Sequence, residues 1–392
     1  MNSITAECKN SKFKPEERFI LRCVDAAFGA ELNTGTISEQ KLDWEQILTI
    51  TGNHGITHLV LDVLRTQDIA PPEVIEMLKS RAQYRSHQNL QMVQELVEVV
   101  QSLRNRGIRT IPYKGPVVAK FAYGDIGRRE FGDLDLLVSR GDLPEARTVL
   151  SQHGYLSQYE FTEDQEWVDD RVNRDHPLRN SENSIQIELH WRIVDRHFPT
   201  KIDFESVWRR HKSLTLANTE LPVLSPEDRL LMLCVHGTRH RWERLQWICD
   251  VAAYLQRCSF DWDRFEKRAR ANRCERMAYL GLAVANKFLD TPLSEKVQQK
   301  VQSDPAIPKL LSYVYGNLFS RENHIKLKKY QSRTLRRPRD KLRFWLGEIC
   351  KPTPADITML ALPRVLAPLY VGVRWVRLSQ ILVSRLLESR FE

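Results

Sequence analysis

The sequence predicts an α+β protein in which a small mixed β-sheet follows a helical N-terminal region and precedes a large helical C-terminal half. Three observations support this fold class. Apolar residues recur at helical spacing through residues 1–107. Short β-branched or alternating runs replace that spacing within residues 108–215. Helical spacing returns after residue 215, so residues 216–392 form the third predicted region.

Local start and stop signals indicate individual helices. Asp43 is placed to cap the second helix, because its carboxylate can accept hydrogen bonds from the free amide groups of the first turn. A long amphipathic helix is predicted over residues 73–105, with Gly107 ending it. The run Ser225-Pro226-Glu227-Asp228 marks the start of the helical C-terminal half.

The middle region contains three predicted strands, at residues 108–113, 134–138 and 184–191. The first is apolar and β-branched, and the third alternates strictly between apolar and polar residues. Short helices are predicted at residues 116–123 and 143–153. A central sheet with helices before and after it is therefore expected.

The composition is that of an ordinary globular protein, with 42% hydrophobic and 28% charged residues. The seven cysteines are odd in number and form no CxxC pair, which argues against a disulfide framework or a zinc knuckle and favours a reducing compartment. The N-terminus lacks the apolar core of a signal peptide. We expect a cytoplasmic protein without a transmembrane segment.

Two features of the C-terminal half leave alternatives open. Residues 321–343 contain ten Lys or Arg residues against two acids, which is typical of a solvated basic segment, or of one that contacts phosphate-rich partners or anionic lipid. Residues 355–387 alternate apolar side chains with arginines. They are compatible with core helices or with peripheral membrane contact, and we expect core helices.

The candidate chemistry lies in the second and third strands. Side chains two apart on a strand share a face, so Asp133 and Asp135 project together while Leu134 points to the core. Adjacent ionised carboxylates repel each other unless a cation binds them. Mg²⁺ or Mn²⁺ would satisfy them, since such ions bind carboxylates together with substrate phosphates. Glu188, on the polar face of the third strand, is the candidate third ligand.

Histidines accompany these acids. His190 should share a face with Glu188, either beside the metal or as a structural histidine. His236 and His240 are four residues apart on one predicted helix, but a third ligand is not evident in the sequence, so we expect packing roles.

The motifs resemble those of the bacterial family of uncharacterised nucleotidyltransferases, which has the same superfold as DNA polymerase beta and aminoglycoside nucleotidyltransferases. That family shows a strand ending in LKG, then R-x-F-x-D-[IL]-D-x-L-V, then an ELHW strand, then a helix with spaced histidines. Here the corresponding segments are YKG from Tyr113, REFGDLDLLV from Arg129, IELHW from Ile187 and LCVHGTRHRWERLQWICD from Leu233 to Asp250. The resemblance covers most of the chain from about Trp44 onward.

The resemblance implies metal-dependent transfer of a nucleoside monophosphate from a nucleoside triphosphate to an acceptor such as a small molecule, peptide or saccharide. It implies metal binding and catalysis by Asp133, Asp135 and Glu188, and phosphate binding by Lys114, Gly115 and Arg129. The Gly-Ser of the wider superfold is replaced by Gly115-Pro116, so phosphate contacts must come from backbone N–H groups and cations.

Two other functions remain open for a chain with these motifs. One is a catalytically inactive member of the same fold that acts in binding or assembly. The other is a nucleic-acid-binding protein that uses the basic segment 321–343, although this segment is poor in aromatic residues for base stacking.

Overall fold

The computed structural model describes residues 13–32, 42–67, 69–196, 198–319 and 324–388. Cys8 and residues 321–323 of the basic segment lie outside these ranges. The first helices and strands are α1 (Pro15–Ala27), α2 (Trp44–Asn53), α3 (Thr57–Leu64), α4 (Pro72–Asn105), β1 (Thr110–Pro112), α5 (Gly115–Val118), β2 (Asp133–Val138), α6 (Leu143–Gln152), β3 (Tyr155–Ser157), α7 (Glu163–Val172), β4 (Asp175–Asn180), β5 (Gln186–His190), α8 (Phe204–Trp208), β6 (Lys212–Leu216) and β7 (Thr219–Val223).

Helices then follow to the end of the described chain. They are α9 (Pro226–Arg239), α10 (Leu245–Arg257), α11 (Trp262–Ala271), α12 (Glu275–Leu289), α13 (Glu295–Ser303), α14 (Ile307–Asn317), α15 (His324–Arg333), α16 (Pro338–Cys350), α17 (Pro354–Thr358) and α18 (Tyr370–Glu388). The α+β prediction is confirmed: helices predominate, and a small mixed sheet interrupts them.

The main sheet has five strands in the order β1-β2-β5-β4-β3, and β6 and β7 form a separate two-stranded sheet. In the main sheet, β5 is the central strand and pairs antiparallel with β4. The alternation predicted for residues 184–191 is present, because Ile187 and Leu189 are fully buried. All three predicted strands belong to this sheet, and β2 and β5 are neighbours in it.

Several local predictions are confirmed in detail. The carboxylate of Asp43 accepts a hydrogen bond from the backbone N–H of Gln46, so it caps α2. The helix predicted after Lys114 is present but short: α5 continues into a π-helical turn at Ala119–Tyr123, which ends at Gly124 with a φ of 76°. A glycine tolerates this left-handed conformation without a side-chain clash.

The chain divides into two compact units. The first contains Met1–Glu98, Pro112–Leu134 and His211–Leu335; the second contains Val99–Ile111, Asp135–Arg210 and Arg336–Glu392. Since each unit is built from three separate stretches, neither corresponds to a single continuous range. The division of the sequence into residues 1–107, 108–215 and 216–392 stays a prediction.

The expectation of core helices at residues 355–387 is only partly correct. Ile357 and Tyr370 are buried, and they pack with Val168 of α7 in a small cluster. Trp375 and Val376 are more than half exposed. This segment therefore contributes to the core on one side and presents apolar side chains on the other. None of the described helices is both long and apolar enough to cross a membrane.

Candidate active site

The strand β2 holds its two aspartates in place by burying the residues between and after them. Leu134, Leu136, Leu137 and Val138 are almost completely inaccessible to solvent. Asp133, at the start of the strand, is half-buried. Asp135 is only 3% exposed. An ionised carboxylate with so little contact with water must be stabilised by hydrogen bonds or by a cation.

The strand β5 supplies the other two polar groups. Glu188 lies opposite Pro177 in β4, and His190 lies opposite Asp175. Because Glu188 and His190 are two apart on the strand, they share one face of the sheet, and the fully buried Ile187 and Leu189 share the other. Glu188 is half-buried, whereas His190 is fully buried.

The imidazole of His190 joins the carboxylates of the two strands. Its Nε2 atom lies 3.0 Å from Oδ1 of Asp135 and 3.1 Å from Oε2 of Glu188. An ionised carboxylate only accepts hydrogen bonds, so when both acids are ionised and no cation is bound, the shared proton lies on Nε2. The ligand atoms of all three residues lie within 4.8 Å of one another. Among the residues that the structure describes, this is the group of His, Cys, Asp or Glu side chains that could hold a metal ion.

The electrostatics of this cluster favour a cation. Burial alone would lower the pKa of His190, but the hydrogen bonds to Asp135 and Glu188 and the charge of Asp175 outweigh it, so the pKa is raised. Two carboxylates thus attract positive charge to the atom that lies between them. The donor set fits an oxygen-preferring divalent ion through the carboxylates, with the imidazole as a further ligand or as the group that orients them.

Arg129 is engaged in a buried ion pair. Its Nε and Nη2 atoms each donate to Asp250 in α10 at 2.9 Å, and the hydroxyl of Tyr123 donates to the same carboxylate. The side chains of Arg129 and Asp250 are 8% and 1% exposed. Burial lowers the pKa of Arg129, but Asp250 more than compensates, so the guanidinium keeps its charge. This bidentate pair uses the planar edge that would otherwise bind a phosphate.

Asp250 ends the motif that begins at Leu233, but the sequence does not indicate its pairing with Arg129, which lies 121 residues earlier. A lone aspartate on an amphipathic helix gives no signal of its partner. Asn89 of α4 adds to this network, since its amide donates to the backbone oxygen of Arg129 at 2.8 Å. The loop before β2 is thereby attached to α4 and α10 of the first unit.

The backbone at Lys114 and Gly115 lies beside the start of β2. Gly115 has a φ of 46°, and a Cβ atom added to it would lie 3.3 Å from the backbone oxygen of Asp133. A residue with a side chain would therefore be strained there. The Nζ atom of Lys114 lies 5.2 Å from the ring centroid of Tyr113.

His236 in α9 and His240 directly after it have the packing role that the sequence predicted. The rings of His236 and His240 have centroids 4.7 Å apart, and both rings contact Trp247. Burial, followed by the charge of Lys114, lowers the pKa of His236 well below its ordinary value. His236 is therefore neutral at physiological pH.

Comparison with protein families places this arrangement in context. The family of uncharacterised nucleotidyltransferases matches residues 40–290, which include both strands of the carboxylate–histidine cluster. The chain belongs to this family. The resemblance noted for the four motifs between Tyr113 and Asp250 is thereby confirmed, and the matched range runs from before α2 to the end of α12.

The crystal structure of an antigenic nucleotidyltransferase-like protein from Paracoccidioides brasiliensis is similar to part of this chain. The two share 14% sequence identity, and the similarity covers 56% of this chain and 92% of that one, with a TM-score of 0.30. No curated protein matches this chain.

Proposed function

We propose that this protein transfers a nucleoside monophosphate from a nucleoside triphosphate to an acceptor, with Mg²⁺ or Mn²⁺ as the metal. The proposal rests on one observation: the ligand atoms of Asp135, Glu188 and His190 lie close together in a chain that belongs to the nucleotidyltransferase family. When bound, the metal would neutralise the charge that develops on the phosphates. We further propose a cytoplasmic location, because the cysteines within the described ranges are free thiols.

The chain's own residues have distinct roles in this proposal. Asp135 is buried and held by His190, so its carboxylate is fixed in orientation as a metal ligand. Glu188 is more accessible, and it would hold the metal or accept the proton of the acceptor. Asp133 stands two positions before Asp135 on β2 and is proposed as a further carboxylate of the site.

The proposed transfer is a substitution at the α-phosphorus. The acceptor oxygen forms a bond to this phosphorus, and the bond from the phosphorus to the oxygen that bridges to the β-phosphate breaks. Pyrophosphate leaves, and the acceptor proton passes to a base, for which Glu188 is proposed. Fixed positions for these groups lower the entropic part of the barrier.

Phosphate binding is proposed for Lys114 and the backbone of Gly115. The ammonium group of Lys114 supplies a positive charge, and the backbone N–H of Gly115, the first residue of α5, is proposed as a further phosphate donor. Arg129 is proposed to contribute its positive charge from within its ion pair with Asp250 and to hold the loop that leads into β2. This assignment makes Arg129 a positioning residue.

The proposal can be tested by nucleotide-dependent stabilisation. The melting temperature of the wild-type protein should rise when Mg²⁺ is added together with each of the four ribonucleoside triphosphates in turn, and EDTA should abolish the rise. Asp135→Asn and Glu188→Gln should lose it, since each substitution removes one negative charge from the metal site. Glu182→Gln is the matched control, because Glu182 is exposed and lies just before β5.

The possible results separate the alternatives. An equal rise in the wild type and in both site variants would exclude these carboxylates from metal-dependent nucleotide binding. No rise with any of the four nucleotides would favour an inactive member of the family that acts in binding or assembly.

A further inference from the structure

A cavity of about 630 Å³ in the second unit is lined with cations. It is formed by the segment after β5, by the end of β2 and by α16. The lining contains five basic side chains, Arg140, Arg192, Arg196, Lys201 and Arg343. Its volume is that of a pocket for a small molecule.

The acidic residues of the lining already serve other groups. Asp195 forms an ion pair at 2.8 Å with Lys351, a residue that does not line the cavity. Asp203 accepts the backbone N–H of Ser206 and caps α8. Glu205 pairs with Arg109. Two of the three carboxylates are therefore paired with cations outside the lining, and the five basic side chains leave the cavity with an excess of positive charge.

The arginines of the cavity lie close to one another. Burial, followed by the charges of Arg196, Arg140 and Arg343, lowers the pKa of the half-buried Arg192. Within the described part of the chain, the side chains of Arg140 and Arg192 have neither a hydrogen bond nor an ion pair. Like charges gathered in one concave place cost free energy unless an anion binds between them.

The arrangement is also held in position. The Nη2 atom of Arg343 donates to the backbone oxygen of Arg196 at 2.7 Å. Beside this contact, the rings of Phe198 and Phe344 pack edge to face with centroids 5.1 Å apart. These contacts fix α16 against the segment after β5, so two sides of the cavity are preorganised.

We propose that this cavity binds a small molecule that carries two or more negative charges on phosphate or carboxylate groups. Guanidinium groups are suited to both, because their planar donors match the paired oxygens of either anion. The site differs from the Asp135–Glu188–His190 cluster in its charge and in needing no metal. The proposal is therefore independent of nucleotidyl transfer.

Isothermal titration with inorganic pyrophosphate and with citrate, both in EDTA, tests this site. We expect the wild type to bind one or both, and the anion that binds distinguishes phosphate from carboxylate ligands. Arg192→Gln and Arg140→Gln should each weaken binding at least about tenfold. Arg179→Gln, an exposed arginine on β4, is the matched control and should bind as the wild type does. Asp135→Asn should also keep the affinity.

Two results would overturn the proposal. The first is that neither anion binds, and the second is that both arginine variants bind like the wild type. A short DNA duplex is tested as a competitor of pyrophosphate. If the duplex displaces pyrophosphate and binds more weakly to Arg192→Gln, the ligand of this cavity is nucleic acid and not a small molecule.

A separate observation concerns the exposed apolar surface of the C-terminal segment. Apart from Met77, Tyr84, Leu90 and Leu156, the exposed large apolar side chains of the described residues all lie between residues 342 and 383. In α16 they follow helical spacing and share one face, which consists of Leu342, Trp345, Leu346 and Ile349. In α18 they include Trp375, Val376, Leu378 and Ile381.

The charges around this surface are predominantly positive. Arg337 and Arg339 are exposed at the start of α16. The acids of the same segment are withdrawn from solvent: Asp340 and Asp356 are buried, and Glu348 is half-buried. We infer that this surface lies on an anionic membrane, with the apolar side chains in the headgroup boundary and the arginines at the phosphates. A symmetric second copy would instead bring these like charges together.

Sedimentation with vesicles tests this inference. The protein should bind vesicles made of equal parts phosphatidylglycerol and phosphatidylcholine. It should bind much more weakly to vesicles of phosphatidylcholine alone. The double variant Leu346→Ser with Val376→Ser should lose most of this binding, whereas Leu156→Ser should keep it, since Leu156 is an exposed apolar residue on β3. Equal binding to both vesicle types would overturn the inference, as would a dimer that the double variant converts to a monomer.

Discussion

The Nε2 atom of His190 lies 3.0 Å from Oδ1 of Asp135, although 55 positions separate the two residues in the chain. The pairing of β2 and β5 in the sheet brings them together. The same nitrogen contacts Glu188, so one imidazole sets the orientation of two candidate metal ligands. Groups that orient metal ligands in this way contribute substantially to metal affinity.

Replacing His190 should therefore weaken the metal site without removing a carboxylate. We expect His190→Gln to reduce Mg²⁺-dependent nucleotide affinity by about 10- to 100-fold. Titration of Zn²⁺ in the same variant distinguishes the two roles of the imidazole. If His190 is itself a ligand, the loss should be larger for Zn²⁺, which prefers imidazole, than for Mg²⁺, which prefers oxygen. Unchanged affinity for both ions would contradict either role.

The buried pair of Arg129 and Asp250 should be important for stability. Asp250→Asn leaves a buried guanidinium without its counter-charge, and we expect the free energy of unfolding to fall by about 3–5 kcal/mol in urea titrations. Asp263→Asn is the control, since its pair with Lys296 lies at the surface, and this variant should unfold at nearly the wild-type midpoint. Similar midpoints for the two variants would show that the buried pair is not stabilising.

Gly115 should not tolerate a side chain. Its φ of 46° is unfavourable for other residues, and an added Cβ would approach the backbone oxygen of Asp133. We expect Gly115→Ala to lower the free energy of unfolding by about 1–2 kcal/mol. Gly132→Ala is the matched control, because an added Cβ at that position meets no atom within 4 Å. Equal stability of the two variants would refute the strain argument.

Part of the candidate site could be predicted because its signals are local. Period-two alternation predicts Glu188 and His190 on one face of the third strand, and the DLDLLV run predicts Asp133 and Asp135 on one face of the second. The cluster contains Asp135, Glu188 and His190, whereas the role of Asp133 stays a prediction. Burial of the intervening leucines and isoleucines produces this alternation, so the pattern and the packing have the same cause. Neither of these two sequence segments by itself predicts that β2 and β5 are adjacent strands in the sheet.

The remaining features depend on contacts distant in sequence. Strand β4 has the sequence DHPLRN, in which a proline and charged residues hide any alternation, and it forms because β5 and β3 pair with it on either side. The pairing of Arg129 with Asp250 likewise depends on how α10 packs. Arg140, Arg192 and Arg343 line one cavity but come from three separate stretches of the chain. In the sequence, each of them is indistinguishable from an ordinary solvated arginine.

The buried imidazole of His54 should make the stability of the protein depend on pH. Its Nδ1 atom accepts the backbone N–H of Leu245 at 3.1 Å, so the folded protein holds the imidazole neutral. Burial, together with the charge of Arg244, lowers the pKa of His54 from 6.5 to about 4. The side chain is only 7% exposed.

Below pH 6.5 the unfolded chain binds a proton at His54 that the folded protein does not, so acid favours unfolding. The contribution of His54 to stability is complete above this pH and is lost progressively as the pH falls towards 4, amounting to about 3 kcal/mol. In His54→Asn the amide oxygen can still accept from Leu245 but does not titrate. The difference in unfolding free energy between wild type and variant, measured in urea at pH 7 and at pH 4, should therefore change by roughly this amount. Parallel pH profiles for the two proteins would mean that His54 titrates normally in the folded state.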